Sequence, residues 1–186
     1  MPLENTLASS LLLAMPGMDD PNFARSAVLV CQHDGDGAMG VVLNRRTDVL
    51  LGELFEQLGI EGASHEMMGR QVLWGGPVQV DRGFVLHDDP RPWPSTLRFG
   101  GFSLTSSREI LHAMARGDGP ERYLVMVGHA GWGGEQLEGE LAQNAWLTVP
   151  APEAMVFDTD SEQLWQVAAG QIGVDMANMA DYSGHA

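Results

Sequence analysis

Two apolar segments joined by a glycine-rich turn constrain the fold of this chain most strongly. Residues 26–32 read SAVLVCQ and residues 39–43 read MGVVL, and both are rich in the β-branched valine that favours strands. The intervening residues 34–37 read DGDG, which is typical of a tight turn between antiparallel strands. The sequence therefore predicts a β-hairpin in its N-terminal part.

The same alternation of short apolar runs and turns continues along the chain. Further strands are predicted at 11–15, 72–74, 83–87, 97–104, 123–127 and 155–157. Helices are predicted at 51–58, 106–116, 135–143 and 160–172. Because hairpin-length turns join most of the strands, we expect an α+β fold with a mixed, mainly antiparallel sheet and about four flanking helices.

The ends of two predicted helices are assigned from capping residues. Thr47 or Asp48 is expected to cap the first helix, and Gly59 is expected to end it. Ser106 and Glu109 have the spacing of a capping box, in which each side chain binds the backbone N–H of the other residue. These signals predict helices that begin directly after polar turns.

The length and charge of the chain narrow the classes of protein to which it can belong. Its 186 residues suit one domain, predicted over residues 1–174, with 175–186 as a loose tail. The formal net charge is −15 and all ten basic residues are arginines, which excludes chemistry that needs a lysine. Because nucleic-acid phosphates are bound by clustered Lys and Arg, this charge also disfavours direct nucleic-acid binding.

The N-terminal sequence has no pattern of an export signal. No basic residue precedes Arg25, and the apolar run 11–15 is shorter than the core of a secretory signal. No segment approaches the roughly 18–20 apolar residues that a membrane-spanning helix needs. We therefore expect a cytoplasmic protein without membrane contacts.

The segment 123–137, YLVMVGHAGWGGEQL, has the outline of a strand, a glycine turn and a helix. A phosphate-binding loop is excluded because the chain has no lysine, and the glycine spacing does not fit the dinucleotide fingerprint. In the pattern of a nucleophile elbow, Ala130 takes the position of the serine. The segment is therefore either a close packing of helix on strand, which glycine permits, or a ligand loop.

Four residues are candidates for a catalytic site that assembles only in three dimensions: Cys31, His33, His87 and His129. Cys31 and His33 are two positions apart, so on a strand their side chains point to the same face. A nearby base would activate the thiol as the nucleophile of a hydrolase or transferase. The alternative is a buried structural cysteine beside a hairpin histidine. The spacing of the six histidines fits none of the common metal-binding motifs, so neither a metal nor a cofactor is predicted.

A second set of candidate residues lies at predicted strand ends and turns, where binding sites usually occur. The set consists of Asn44, Arg45, Gly75, Gly76, Arg82, His87, Trp132 and Gln136. Tryptophan and arginine are enriched among residues that dominate binding energy, and Trp132 is expected to be partly exposed in its glycine-rich segment. Together these residues would line a groove for a small molecule or a protein partner. The structural alternative is that the arginines pair with acidic residues and the tryptophans fill the core.

Long blocks of the sequence resemble the bacterial YqgE/AlgH family. The blocks are AMPGMDDPNFARSAVLVCQHDGDGAMGVVLNR (14–45), GGPVQVDRGFVLH (75–87), SLTSSREIL (103–111), GHAGWGGEQLEGELAQNAWL (128–147) and the closing GHA (184–186). The resemblance covers nearly the whole chain, and every residue of the second candidate set lies inside these blocks. The chain departs from the usual family pattern at Arg46, where proline is usual, and at His129, where tyrosine is usual.

The resemblance implies a compact α+β fold whose sheet bends into a partial barrel. It implies no established reaction, and for some members it implies an effect on transcription. Since the sequence shows no complete set of catalytic residues, we expect a non-enzymatic regulatory protein that binds an unidentified small molecule or protein partner. The alternative is a hydrolase or transferase whose site is assembled from Cys31, His33, His87 and His129.

Overall fold

The computed structural model describes residues 6–183, which contain ten strands and seven helices. The strands are β1 (Ser10–Ala14), β2 (Ala27–Asp34), β3 (Gly37–Val42), β4 (Arg46–Leu50), β5 (Gln71–Trp74), β6 (Val78–His87), β7 (Thr96–Phe99), β8 (Phe102–Thr105), β9 (Tyr123–Gly133) and β10 (Trp146–Pro150). The helices are α1 (Leu51–Leu58), α2 (His65–Met68), α3 (Arg108–Ala115), α4 (Gln136–Ala142), α5 (Glu153–Asp158), α6 (Leu164–Gly170) and α7 (Met176–Ser183). Helices α1, α3, α4 and α6 correspond to the four that were predicted, and the other three are additional.

The strands of the described chain form one curled sheet. Its main order is β10-β1-β2-β3-β9-β6-β8-β7, while β4 pairs with β5, and β5 pairs with β9. Neighbouring strands are antiparallel except β5 and β9, which run parallel. Strand β9 joins the two halves of the sheet, because its C-terminal part pairs with β3 and its N-terminal part pairs with β6. The resulting half-barrel confirms the predicted α+β class and the mixed, mainly antiparallel sheet.

Apolar side chains fill both faces of the sheet. Along β6, Phe84 and Leu86 pack on one face together with α5 and α6, whereas Val85 packs on the other face beneath α1 and α3. A third apolar cluster lies between β1, β2, β3, β9 and α4. Burial on both faces explains why β2, in the predicted hairpin, begins as a continuous apolar run rather than as an alternating pattern.

The glycine-rich part of segment 123–137 is a strand, not the predicted turn. Strand β9 continues through the glycines to Gly133, and α4 begins only at Gln136. Pairing with β3, in which Gly131 lies opposite Met39, keeps the segment extended. The nucleophile-elbow outline of the sequence therefore has no structural counterpart in this segment.

Two other segments were predicted as strands and differ in the structure. Residues 155–157 lie in α5, where Met155 and Val156 are buried against the sheet. Residues 97–104 are not one strand but the β7–β8 hairpin, whose turn contains Gly100 with a φ of 54°. Strands β4 and β10 were not predicted.

The C-terminal segment also differs from the predicted loose tail. Residues Met176–Ser183 form α7, and Met176 is buried in the main apolar cluster. Residues 184–186, which close the family resemblance, lie outside the described residues. Within the described part of the chain, no helix is long and apolar enough to cross a membrane.

Capping differs from prediction at the starts of both α1 and α3. The N-cap of α1 is Leu50, whose N–H donates to the Glu53 carboxylate at 3.1 Å, whereas residues 47 and 48 lie in β4. Gly59 ends α1 with a φ of 71°, as predicted. The N-cap of α3 is Ser107, and its side chain makes no capping hydrogen bond, so the predicted capping box does not form. The Ser107 hydroxyl is instead buried without a hydrogen-bond partner among the described residues.

Candidate functional site

The predicted binding residues lie in several separate places in the structure. Two of them, Asn44 and Arg45, have a structural role. The Asn44 side chain accepts a hydrogen bond from the N–H of Ala27 and donates one to the carbonyl of Arg25, both at 2.9 Å. Arg45 donates to two carbonyls of the loop before β2, at 2.7 and 2.8 Å. Burial of the guanidinium lowers the pKa of Arg45. Asn44 and Arg45 therefore fasten this loop to the end of β3.

Gly75 and Gly76 allow the chain after β5 to lie directly against β9. A Cβ atom on Gly76 would overlap the backbone of His129, and one on Gly128 would overlap the carbonyl oxygen of Gly76. Gly76 and Gly128 also have φ values of 151° and 78°, which L-residues rarely adopt. This backbone contact fixes the position of the segment that carries His129.

Trp132 and Gln136 belong to a hydrogen-bond network centred on Glu140 of α4. The indole N–H groups of Trp132 and Trp146 donate to the same Glu140 carboxylate oxygen, at 3.1 and 2.9 Å. The Gln136 amide donates to the other oxygen at 3.0 Å. Only 6% of Trp132 is exposed, so the prediction of a partly exposed tryptophan is wrong. The network holds α4 on the sheet.

His87 is buried at the end of β6 and forms part of a chain of hydrogen bonds. Its Nδ1 accepts from the N–H of Asp89 at 3.1 Å, so the ring proton lies on Nε2, which donates to Thr105 at 2.8 Å. The Thr105 hydroxyl contacts that of Thr96 at 2.7 Å, and Thr96 donates to the carbonyl of Trp93. Burial is the main cause of the lowered pKa of His87. The neutral ring therefore ties β6 to the β7–β8 hairpin.

The candidate catalytic residues do not meet in the structure. Cys31 is buried, and burial raises the pKa of its thiol well above the usual range. The Nδ1 atom of His33 accepts from the N–H of Leu7 at 3.0 Å, and Nε2 donates to Glu138 at 2.9 Å. No hydrogen bond in the described part of the chain joins two of the four candidates. The geometry therefore gives the thiol no activating base.

Because Cys31 is buried and protonated, we expect it to resist thiol reagents in the folded protein. Labelling with an aromatic disulfide reagent at neutral pH should give no colour release from native protein and full release after unfolding in guanidinium chloride. The chain has one cysteine, so the signal needs no assignment. Stoichiometric labelling of the native protein within minutes would contradict the buried environment described above.

Arg82 and His129 line a cavity of about 420 Å³ between β6, β9 and the β7–β8 hairpin, which we name the polar cleft. Its polar side chains are Gln79, Arg82, Ser95, Thr96, Ser106 and His129. Its apolar side chains are Met39, Phe84, Leu97 and Leu104. The volume falls within the roughly 300–1,000 Å³ of small-molecule sites, and the mixed lining is typical of them.

Charge and hydrogen bonding in the polar cleft centre on Arg82 and His129. The Arg82 guanidinium lies 5.3 Å from the centre of the Phe84 ring and donates to the Ser106 hydroxyl at 3.2 Å. The His129 ring meets the same Phe84 ring edge-on, with 5.9 Å between the ring centres. The Nδ1 atom of His129 is buried and has no hydrogen-bond partner among the described residues. Burial, and secondarily the charge of Arg82, lowers the pKa of His129.

Several residues of the polar cleft were not predicted from the sequence as site residues. Phe84 follows Arg82 by two positions on one strand, so alternation alone would have placed them on the same face. Ser95 and Ser106 flank the β7–β8 hairpin, and their backbones are joined by a hydrogen bond of 3.0 Å. No local signal identifies this pair, because it is created by a hairpin that was predicted as a single strand.

A half-barrel α+β domain with a cleft beside β6 and β9 is the class of protein that these observations define. The AlgH-like family (DUF179) matches residues 11–177, and the chain belongs to this family. The resemblance noted in the sequence is thereby confirmed.

Individual relatives match the chain over nearly its whole length. A UPF0301 protein of Xanthomonas campestris pv. campestris is 53% identical over 185 residues, which cover 99% of this chain and 98% of the relative. A UPF0301 protein of Xylella fastidiosa is 55% identical over 182 residues, covering 97% of each chain. The solution structure of the AlgH protein from Pseudomonas aeruginosa superposes with a TM-score of 0.81 at 40% identity, covering 96% of this chain and 95% of that one.

Proposed function

We propose that this protein binds a small organic molecule in the polar cleft and acts as a regulatory binding protein, not as an enzyme. The observation that carries the proposal is the placement of the Arg82 guanidinium and the His129 ring around the apolar surface of Phe84 in one cavity. The cleft thus offers one molecule a cation, an imidazole ring and an apolar contact.

The other candidate catalytic residues are buried or hydrogen-bonded within the chain, which supports a binding role. The thiol of Cys31 is buried and protonated, and the ring nitrogens of His33 and His87 form hydrogen bonds with neighbouring groups. A regulatory effect, which the family resemblance implies, requires only that the bound and free proteins differ in a contact with another macromolecule. The cytoplasmic location predicted from the sequence belongs to the same proposal.

A thermal-shift screen against metabolites and nucleotides tests the proposal. A ligand at a hundred times its dissociation constant should add about 2.7 kcal/mol to the free energy of unfolding, or roughly 5–10 °C for a chain of this size. We expect Arg82→Gln and His129→Ala to lose most of that shift. Both side chains line an open cavity, so the melting temperature without ligand should change by only a few degrees.

The control for lost charge is Arg116→Gln, because Arg116 is exposed at the end of α3 and does not line the cleft. A Trp132→Ala variant is unsuitable as a test, since it would open a cavity in the core. The proposal is wrong if ligand shifts persist unchanged in both cleft variants. A screen without any hit also counts against it, and would favour a protein partner.

A further inference from the structure

A second cavity adjoins the polar cleft at Phe84 and Ser106, which line both cavities. This cavity measures about 190 Å³ and lies between α1, the start of α3 and the strands β6 and β9. We name it the apolar pocket, because its lining includes the apolar side chains of Leu54, Leu58, Val85, Leu111, Val125 and Val127. It is too small for a whole ligand of ordinary size but large enough for part of one.

Arg82 lies beside the junction of the two cavities, which are on opposite faces of β6. Its guanidinium lies over the Phe84 ring and donates to the Ser106 hydroxyl, so it spans the two residues that the cavities share. Arg82 is exposed. In the described part of the chain its guanidinium makes one hydrogen bond to another side chain, the contact with Ser106 at 3.2 Å. The pairing of β6 with β8 ends at Val85 and Thr105, so Arg82 and Ser106 lie at an edge where the two cavities, one on each face of β6, are neighbours.

The charges around the junction favour an acidic group in the polar cleft. The chain has 25 acidic and ten basic residues, yet Arg82 has no carboxylate within salt-bridge distance among the described residues, unlike Arg46, Arg91 and Arg122. In the apolar pocket the charged side chains are Asp81 and Arg108, both exposed. Asp81 and Arg108 carry opposite charges and give the apolar pocket no net attraction for an acidic group, whereas the polar cleft has Arg82 and, in the part of the chain that the structure describes, no carboxylate in its lining.

Unpartnered polar atoms mark both sides of this junction. His129, whose buried Nδ1 has no partner, lines the polar cleft, and Ser107, whose buried hydroxyl has none, lines the apolar pocket. Such atoms are few in folded proteins, and here two of the four in the described chain belong to residues that line these two cavities. A ligand that extends from one cavity to the other would pass both.

We infer that the ligand is an organic acid with an unbranched apolar chain, whose acid group pairs with Arg82 and His129 while its chain enters the apolar pocket. The chain passes the edge of β6 at Arg82 and Ser106, where the two cavities are neighbours. This inference rests on the proposed function of the polar cleft and specifies the class of its ligand.

Straight-chain carboxylates from butanoate to decanoate test the inference, used below the concentrations at which they form micelles. Affinity, measured by calorimetry and by the NMR signals of the His129 ring, should rise roughly fourfold per methylene until the apolar pocket is filled. Octan-1-ol, which has the chain length of octanoate without its charge, should bind at least about tenfold more weakly.

Two variants separate the contributions of the ligand's acid group and of its apolar chain to affinity. Arg82→Gln should weaken every acid by about tenfold and leave the dependence on chain length unchanged. Leu58→Gln should flatten that dependence and leave butanoate binding intact, because Leu58 lies in the wall of the apolar pocket. Leu58 is only partly buried, so the fold should tolerate the change; Gln57→Ala, at the neighbouring exposed position, should alter neither property.

The outcomes distinguish this inference from the proposed function. Equal affinities for all chain lengths, with the His129 signals still perturbed, would overturn the inference and leave ligand binding in the polar cleft standing. A chain-length dependence that survives unchanged in Leu58→Gln would also overturn it, since the chain would then lie elsewhere. If no acid and no compound of the thermal-shift screen perturbs His129, both the inference and the proposed function are wrong.

Discussion

Gly128→Ala is expected to lower the free energy of unfolding by about 4 kcal/mol, the largest effect that we predict for a single methyl group. Gly128 has a φ of 78°, a left-handed conformation that is unfavourable for alanine. The added Cβ would also overlap the carbonyl oxygen of Gly76, which belongs to the backbone and cannot rotate away. Urea unfolding followed by circular dichroism measures the change.

Gly131→Ala provides the matched control, since it adds the same methyl group to the same strand. The nearest atom to its Cβ would be a methyl carbon of Val78 at 4.0 Å, an ordinary contact. We expect its free energy of unfolding to stay within about 1 kcal/mol of the parent protein. Similar stabilities for the two variants would show that β9 does not press against the chain after β5 as described.

Contacts such as that between β9 and the chain after β5 explain why only part of the fold can be predicted from the sequence. The β2–β3 hairpin is specified locally, because the DGDG turn and the flanking valines lie within a few residues of one another. Strand β9 is not, since its glycines resemble a turn until pairing with β3 holds Gly131 and Gly133 in the strand. The run 155–157 is ambiguous for another reason: three consecutive apolar residues suit a buried strand or a helix equally well.

The candidate site was only partly predictable for comparable reasons. Arg82 and His129 were both singled out from the sequence, but in different sets, one for binding and one for catalysis. What brings them together is the pairing of β6 with β9, a contact between residues far apart in the chain. Trp132 was misread because its glycine neighbours suggested exposure, whereas α4 covers it. Sequence position indicated residues with useful chemistry, and tertiary pairing decided which of them share a cavity.

Glu140→Ala is expected to destabilise the protein by about 3 kcal/mol, because one carboxylate satisfies several donors. The indole N–H groups of Trp132 and Trp146 both donate to it, and these side chains are only 6% and 4% exposed. Without Glu140 the two buried donors lose their acceptor, and water has little access to replace it. The amide of Gln136 loses its acceptor as well, although it remains close to solvent.

Two further substitutions show whether the lost acceptor causes this destabilisation. Glu140→Gln keeps an oxygen that can accept from both indoles, so it should restore most of the stability, leaving a deficit of about 1 kcal/mol. Glu138→Ala removes a carboxylate from the same helix, but the Glu138 side chain is 45% exposed and, within residues 6–183, pairs with His33 alone, so we expect a change within about 0.5 kcal/mol. If Glu140→Gln is as unstable as Glu140→Ala, the negative charge rather than the acceptor geometry holds α4 on the sheet. If Glu138→Ala equals them both, loss of charge anywhere in α4 is responsible, and the indole contacts contribute little.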